Sequence, residues 1–332
     1  MKRILIIISA LLISLFFIYS CSPNEKVIEK SSSNFIHFKL EGDLAERELE
    51  ASGLTWYNDN LIILPQFPHK WEDQFDGVLF FISKKRIESY ISGENKTPIS
   101  GEKIYFSAED LDEIGKRRGS GYEAITFVGD SLYVAIESVS GDGSTSYVVA
   151  GVIDFEEKKI TLNANSKIEV KSQTGIHNIA EETILFYNSS VFTIHEANGK
   201  NVNKLPIVNK LNRNLTEIEK ITFPNIEYRI TDATSVDSNG KFFAINYFYP
   251  GEYEKLKPNL SEEEKDKAIE QILEFQILDD EIVRTTKPPL VISKGESKKG
   301  NNWEGIVRLN DGFLLITDMF PETILVYCEW VA

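Results

Sequence analysis

Apolar residues recur along this chain as pairs of short runs separated by a tight polar turn, and five such pairs share one plan. A polar residue and a small residue open each pair; an apolar strand, a turn and a second apolar strand follow. The copies begin at Ser52-Gly53-Leu54, Glu123-Ala124-Ile125, His177-Asn178-Ile179, Asp232-Ala233-Thr234 and Glu304-Gly305-Ile306. Their turns fall at Asn58-Asp59, Gly129-Asp130, Glu181-Glu182, Asn239-Gly240 and Asp311-Gly312. Asn-Gly and Asp-Gly between apolar runs mark hairpins, because these residues tolerate positive φ.

Further strand candidates follow each hairpin: 78–82 and 103–106, 147–153 and 159–170, 191–195 and 220–223, 274–278 and 290–292. Four strands per repeat, recurring about every 50–70 residues, is the plan of a propeller blade rather than of a sandwich. The chain therefore reads as all-β, a β-propeller of five blades, with six as the alternative. The last repeat has only 323–330 after its hairpin, so residues 35–40 are expected to supply its outer strand and close the ring. The insertion 259–273, with the capping-box pair Ser261 and Glu264, reads as a short charged helix. A helical turn is expected over 109–116.

The start of the chain changes the picture. Lys2 and Arg3 precede an unbroken apolar run over 4–19, then Ser20-Cys21 and a polar stretch. This is an export signal by pattern, and the Cys after a small residue resembles the bacterial lipoprotein signal. The expected organisation is a signal peptide over 1–20, an acylated Cys21, a flexible tether over 21–33 and one propeller domain over 34–332, lipid-anchored at the bacterial cell envelope. With Cys21 acylated, Cys328 has no partner for an internal disulfide, so stability rests on a core. The formal charge of −15 argues against nucleic acid or an anionic membrane surface as a partner. The membrane is then met only through the anchor, and the chain is expected to be a monomer.

The first strand of every propeller blade lines the central channel, so the residues opening the repeats, Ser52, Glu123, His177, Asp232 and Glu304, are expected to face one another. Carboxylates converging in a narrow channel repel, and either shared protons or a cation neutralises them. Oxygen donors from separate strands suit Ca²⁺, with Ser52, Glu123, Asp232 and Glu304 as the donor set. His177 suits a proton-transfer role better. Plain architecture, in which these residues bond the neighbouring blade's backbone, is the competing reading. Cations cluster in the loops on the same face, and Arg118 and Arg229 are the candidates for holding a small anionic substrate such as a phosphoester. Residues 69–71, His69, Lys70 and Trp71, and the aromatic stretch 247–253 are candidate pocket walls.

The segments 121–127, 228–237 and 302–312 resemble the phytase-like esterase family of exported β-propeller proteins, over most of the chain from Ser52 onward. Glu123, Arg229, Asp232 and Glu304 match the polar positions of that pattern, and the resemblance implies phosphoester or ester hydrolysis. The ring also looks like that of the calcium-dependent apyrases in its Ser52, Glu123 and Glu304. Two functions follow as expectations. The first is a metal-dependent hydrolase with Glu123 or Glu304 as base; the second is a non-catalytic envelope scaffold with a structural cation. A carbohydrate-active enzyme is a third, since channel carboxylates can cleave glycosides. No Gly-x-Ser-x-Gly, His-Glu-x-x-His or Walker sequence is present, which removes the serine esterase, zinc protease and P-loop readings.

Overall fold

The computed structural model describes residues 30–31, 35–72, 74–116, 120–140, 143–293 and 300–330. Signal, Cys21 and most of the tether lie outside these residues, as does Arg118. Two short strands, β1 (Lys30–Ser31) and β2 (Phe35–His37), precede the first repeat. Blade 1 is β3 (Ala51–Tyr57), β4 (Asn60–Pro65), β5 (Gly77–Ser83) and β6 (Glu102–Ser107), with helix α1 (Lys84–Ile91) between its outer strands. Helix α2 (Asp112–Gly115) leads into blade 2, made of β7 (Gly121–Val128), β8 (Ser131–Ser140), β9 (Gly143–Asp154) and β10 (Lys159–Leu162), with β11 (Ile168–Lys171) also on β9. Blade 3 is β12 (Glu181–Tyr187), β13 (Ser190–His195), β14 (Ile207–Asn212) and β15 (Ile218–Thr222). Blade 4 is β16 (Arg229–Ala233), β17 (Lys241–Phe248), β18 (Ile269–Ile277), the short β19 (Ile282–Arg284) and β20 (Leu290–Ser293). Blade 5 is β21 (Trp303–Leu309), β22 (Gly312–Thr317) and β23 (Leu325–Glu329).

Five blades are present, and the ring closes as the repeat count requires. Strand β2 pairs antiparallel with β23, Phe35 opposite Cys328 and His37 opposite Val326, so the start of the chain completes the last blade. The inner hairpins turn through positive φ at Asn58, Gly129, Asn188-Ser189, Gly240 and Asn310, the conformations that Gly and Asn tolerate best. Apolar cores lie between the blades. One unites Leu54, Leu61 and Phe80 with Leu314 and Leu325 across blades 1 and 5, and another unites Phe243 and Ile245 with Trp303 and Phe313 across blades 4 and 5.

Two expectations need correction here. The insertion 259–273 is not a helix. Only half of the capping box forms, the Ser261 backbone N–H and hydroxyl both donating to the Glu264 carboxylate at 3.0 and 2.6 Å, while the Glu264 N–H goes to the Ser261 carbonyl. The segment nevertheless continues as turns and enters β18 at Ile269, because Ala268, Ile272 and Leu273 are buried against the sheet. The one-turn helix α3 (Tyr253–Leu256) lies just before it. In blade 3, Glu181-Glu182 is not the hairpin turn but the start of the inner strand, and the turn is Asn188-Ser189.

Inner strands are fastened to one another by buried side chains. The Ser52 hydroxyl in blade 1 donates to the carbonyl of Tyr122 in blade 2 at 2.5 Å, and the Thr231 hydroxyl in blade 4 donates to the carbonyl of Trp303 in blade 5 at 2.6 Å. Asp232 accepts the Ile306 N–H of blade 5 at 2.8 Å and the Leu54 N–H of blade 1 at 3.4 Å, so one carboxyl ties three blades together. Asp232→Ala orphans these interior N–H groups at about 1–3 kcal/mol each. Denaturant unfolding should show a loss of that order, and a variant as stable as the parent would mean that Asp232 does not clasp the ring.

Candidate functional site

All five inner strands carry a register shift at the same place. The displaced residues are Ser52, Glu123, Glu182, the pair Thr231-Asp232, and Glu304. A bulge re-aims a side chain and interrupts pairing, and here it marks equivalent positions on five strands. Thr231 repeats the bond that Ser52 makes, so Ser52, Glu123, Glu182, Thr231 and Glu304 form the ring. His177 is corrected to Glu182: the histidine sits on an exposed turn ahead of the strand. Asp232 is corrected to Thr231, the aspartate lying one residue further along and bonded to backbone.

A second tier follows from the same pairing. The residue before each bulge is paired with the next strand, and one position beyond that partner stand Gln66, Glu137, Glu196, Tyr247 and Asp318. Contacts join the tiers: Gln66 Nε2 donates to Glu123 at 3.1 and 3.3 Å, and the Asn302 amide donates to Glu304 at 2.6 Å and to Asp318 at 3.0 Å. Glu123, Glu137, Glu182, Glu196 and Glu304 are all buried.

Arg229 is the guanidinium at their centre. It donates through Nε to Glu196, through Nη2 to Glu304 at 3.2 Å and through Nη1 to Asn302 at 3.3 Å, with Glu252 3.8 Å away. Burial pulls its pKa down, but Glu196, Glu252 and Glu304 push it above the ordinary arginine value. The acids move upward. Burial, then repulsion from Asp318, lifts Glu304 to about 8 against the pull of Arg229. Burial lifts Glu137 to about 7, opposed by a Ser144 hydrogen bond and helped by Glu196. Glu123 rises well above the carboxylate range through burial and then Glu137 and Glu304, and Glu182 through burial and then Glu196 and Glu123. Burial also raises Asp318.

Beside this cluster opens a cavity of about 470 Å³ between blades 4 and 5. Arg229, Asn302, Asp318 and Glu252 line it together with Tyr247, Tyr249, Phe320, Pro321, Gly300 and Arg47. The aromatic stretch 247–253 is therefore a pocket wall, as expected. The facing wall comes from Phe320 and Pro321 and not from the blade 1 loop, where Lys70 pairs with Glu50 at 3.1 Å and Trp71 packs on Phe80. Asp318, Glu252 and Asn302 were missed at the sequence level. The repeat itself points to Asp318, which follows the second strand of blade 5 as Glu196 follows that of blade 3.

The expected Ca²⁺ donors do not fit an ion as a set. Asp232 is bound to backbone, Ser52 donates to a carbonyl, and Glu304 is taken by Arg229 and Asn302. Among the described residues no three His, Cys, Asp or Glu side chains are gathered to hold a metal. The buried Ser172–His195 pair is no hydrolase dyad either: burial drops the imidazole to about 3, and its Nδ1 accepts the Ala197 N–H at 3.4 Å, which leaves Nε2 as the donor toward Ser172, 3.2 Å away.

No protein-family model matches the chain, and no curated protein matches it. Solved structures do. A Bifidobacterium bifidum s17 protein assigned as an exo-beta-1,3-galactanase superposes with a TM-score of 0.51 at 10% identity, over 88% of this chain and 92% of that one. The exo-beta-1,3-galactanase of Phanerochaete chrysosporium, solved with beta-1,3-galactotriose, superposes with a TM-score of 0.50 at 9% identity, over 89% of this chain and 64% of that one. These likenesses establish the five-bladed propeller fold.

The raised acids make stability depend on pH. Glu137, Glu181 and Glu304 hold protons up to about 7, 7 and 8, whereas the unfolded chain releases them near 4.5. The folded state then binds more protons between those limits, so stability falls as pH rises. Unfolding free energies in EDTA should decline from pH 5 to pH 8. A rise over that window would contradict a cluster of protonated buried acids.

Proposed function

We propose that the chain is a hydrolase that cleaves glycosidic bonds in the pocket between blades 4 and 5, with Asp318 as general acid and Glu252 as its carboxylate partner. One observation carries this reading: two carboxyl groups from different blades, Asp318 and Glu252, line the same pocket. Burial raises Asp318, and Glu304 behind Asn302 shares its hydrogen-bond network. Glu252 lies 3.8 Å from Arg229 and 3.7 Å from Lys255. A pair of carboxyls on one pocket is what acid-assisted departure of an alcohol requires, one giving a proton to the leaving oxygen and the other acting on the opposite face as nucleophile or base. Tyr247, Tyr249 and Phe320 supply apolar faces for a sugar ring. The names of the similar structures, both galactanases, agree with this class of substrate.

Phosphoester cleavage, which the phytase-like resemblance implies, draws less support from this pocket. Arg229, the guanidinium expected to clamp a phosphate, is already matched by Glu196, Glu304 and Glu252, and the surrounding acids repel an anion. The N-terminal pattern supports anchoring of this hydrolase at the cell envelope through Cys21.

A panel of aryl glycosides, assayed beside an aryl phosphoester, tests the reading. Glycoside turnover is expected, with Asp318→Asn and Glu252→Gln each lowering kcat/KM by about 10²–10⁴-fold and Glu304→Gln shifting the basic limb of the pH profile. Phosphoester turnover alone would overturn the proposal and restore the esterase reading; turnover untouched by both pocket substitutions would move the site elsewhere.

A further inference from the structure

Two guanidinium groups line the cavity between blades 4 and 5, and the protein neutralises only one of them. Arg229 is matched by Glu196, Glu304 and Glu252. Arg47 makes no ion pair among the described residues: its Nε donates to the Met319 carbonyl at 2.8 Å, and its guanidinium lies 4.9 Å from the centre of the Phe320 ring. Both of its Nη groups are left without a protein partner there. The position is nonetheless built. Arg47 opens a 3₁₀ turn, Arg47–Leu49, just ahead of β3, and Leu44 and Leu49 on either side of it are buried. The Thr323 hydroxyl donates to the Glu46 carbonyl at 2.8 Å, so the turn is fastened to the loop between β22 and β23 both beside the arginine and through it. A planar cation held in this way loses little freedom when an anion arrives. Phe320 and Tyr249, at the same cavity, are 52% and 40% exposed, two large apolar faces left in water.

We propose that Arg47 selects a sugar carboxylate, so that the cavity takes a glycoside of a uronic acid in preference to one of a neutral hexose, an assignment that rests on the glycoside reading above. A carboxylate accepts two parallel N–H donors from one guanidinium. A hexuronic acid carries that group where a hexose has its hydroxymethyl, across the ring oxygen from the bond to be cut. Its carboxylate can therefore meet Arg47 at the rim while the ring lies on an aromatic face and the glycosidic oxygen reaches the pocket carboxyls. Phe320, stacked with the guanidinium, sets an apolar face directly beside the charge, the pairing of surfaces that a charged sugar ring presents in return. The carboxylates that bar a phosphate from Arg229 are the partners of that arginine on the pocket floor. Arg47 comes from the segment ahead of blade 1 and has no such partner.

Affinity tests this apart from turnover. Ligand-observed NMR gives Kd for matched pairs of aryl glycosides that differ only in a carboxylate for a hydroxymethyl, glucuronide against glucoside and galacturonide against galactoside, with Asp318→Asn in the sample to prevent cleavage. In at least one pair the uronide should bind about tenfold tighter at low salt, and the preference should shrink as salt screens the exposed guanidinium. Arg47→Met, which keeps an unbranched stem over Phe320, should bring the ratio to about one, and Arg47→Lys should keep part of it. An arginine that only pins the Met319 loop would shift both members of a pair together and leave the ratio as it was. Equal binding within both pairs, or a preference that survives Arg47→Met, would overturn the acidic-sugar assignment and leave the glycoside reading standing. Uronide binding lost with Arg47 but without turnover in the parent chain would uphold the subsite and sink the cleavage. Failure of all four glycosides to bind would overturn the assignment whatever the parent cleaves.

Discussion

The mouth of this propeller is organised around one buried guanidinium. Arg229 opens the inner strand of blade 4 and binds Glu196 of blade 3 and Glu304 of blade 5, with Glu252 of the adjoining loop close by. Stripping water from these groups costs more than a single ion pair returns, so the arrangement survives because the pairs are shared and Asn302 both accepts from Arg229 and donates to Glu304. Removing the arginine alone would strand two or three buried carboxylates, the situation that costs about 3–5 kcal/mol in broken buried pairs. The pocket sits against this network, and its polar floor inherits a fixed geometry from it. A loop-borne site without such a foundation would not hold Asp318 and Glu252 in register.

Much of the architecture was legible because a propeller repeats its pattern. Five small-residue openings, five turns and a short last repeat sufficed for five blades closed by an N-terminal strand. Boundaries failed where local chemistry mimics another element. Glu181-Glu182 reads as a polar turn, yet its second residue opens Glu182-Thr183-Ile184, which parallels Glu123-Ala124-Ile125 and Glu304-Gly305-Ile306; the true turn, Asn188-Ser189, carries a weaker signal than Asn-Gly. At Ser261 the Glu264 carboxylate is bonded as in a capping box, but those bonds cannot hold a helix whose next apolar residues are claimed by a sheet.

The site was legible to a lesser depth for a physical reason. Inner-strand positions can be aligned by the repeat, and Glu123 and Glu304 were found that way, while Arg229 was reached as a cation expected in the loop ahead of its strand. The upper tier depends on pairing register, which a one-residue bulge shifts on every blade. Without that register Glu137, Glu196 and Asp318 are ordinary acids within or just beyond a strand. Arg229 illustrates the remaining gap: its residue type and position were apparent, but its partners, which turn it from an anion clamp into the counterion of the protein's own carboxylates, belong to tertiary structure.

Sharing a single arginine leaves the ring electrically lopsided, and this asymmetry separates structure from chemistry within one mouth. Blades 4 and 5 hold the guanidinium and open a cavity toward solvent, so their carboxyls are both oriented and accessible. Blades 2 and 3 hold carboxylates of the same origin, sealed from solvent and short of donors. Equivalent positions on a repeated fold thus meet opposite demands, because the guanidinium can satisfy only the strands beside it. Acids on the solvated side are free to exchange protons with the cavity. Those on the sealed side can lower their energy only by keeping protons.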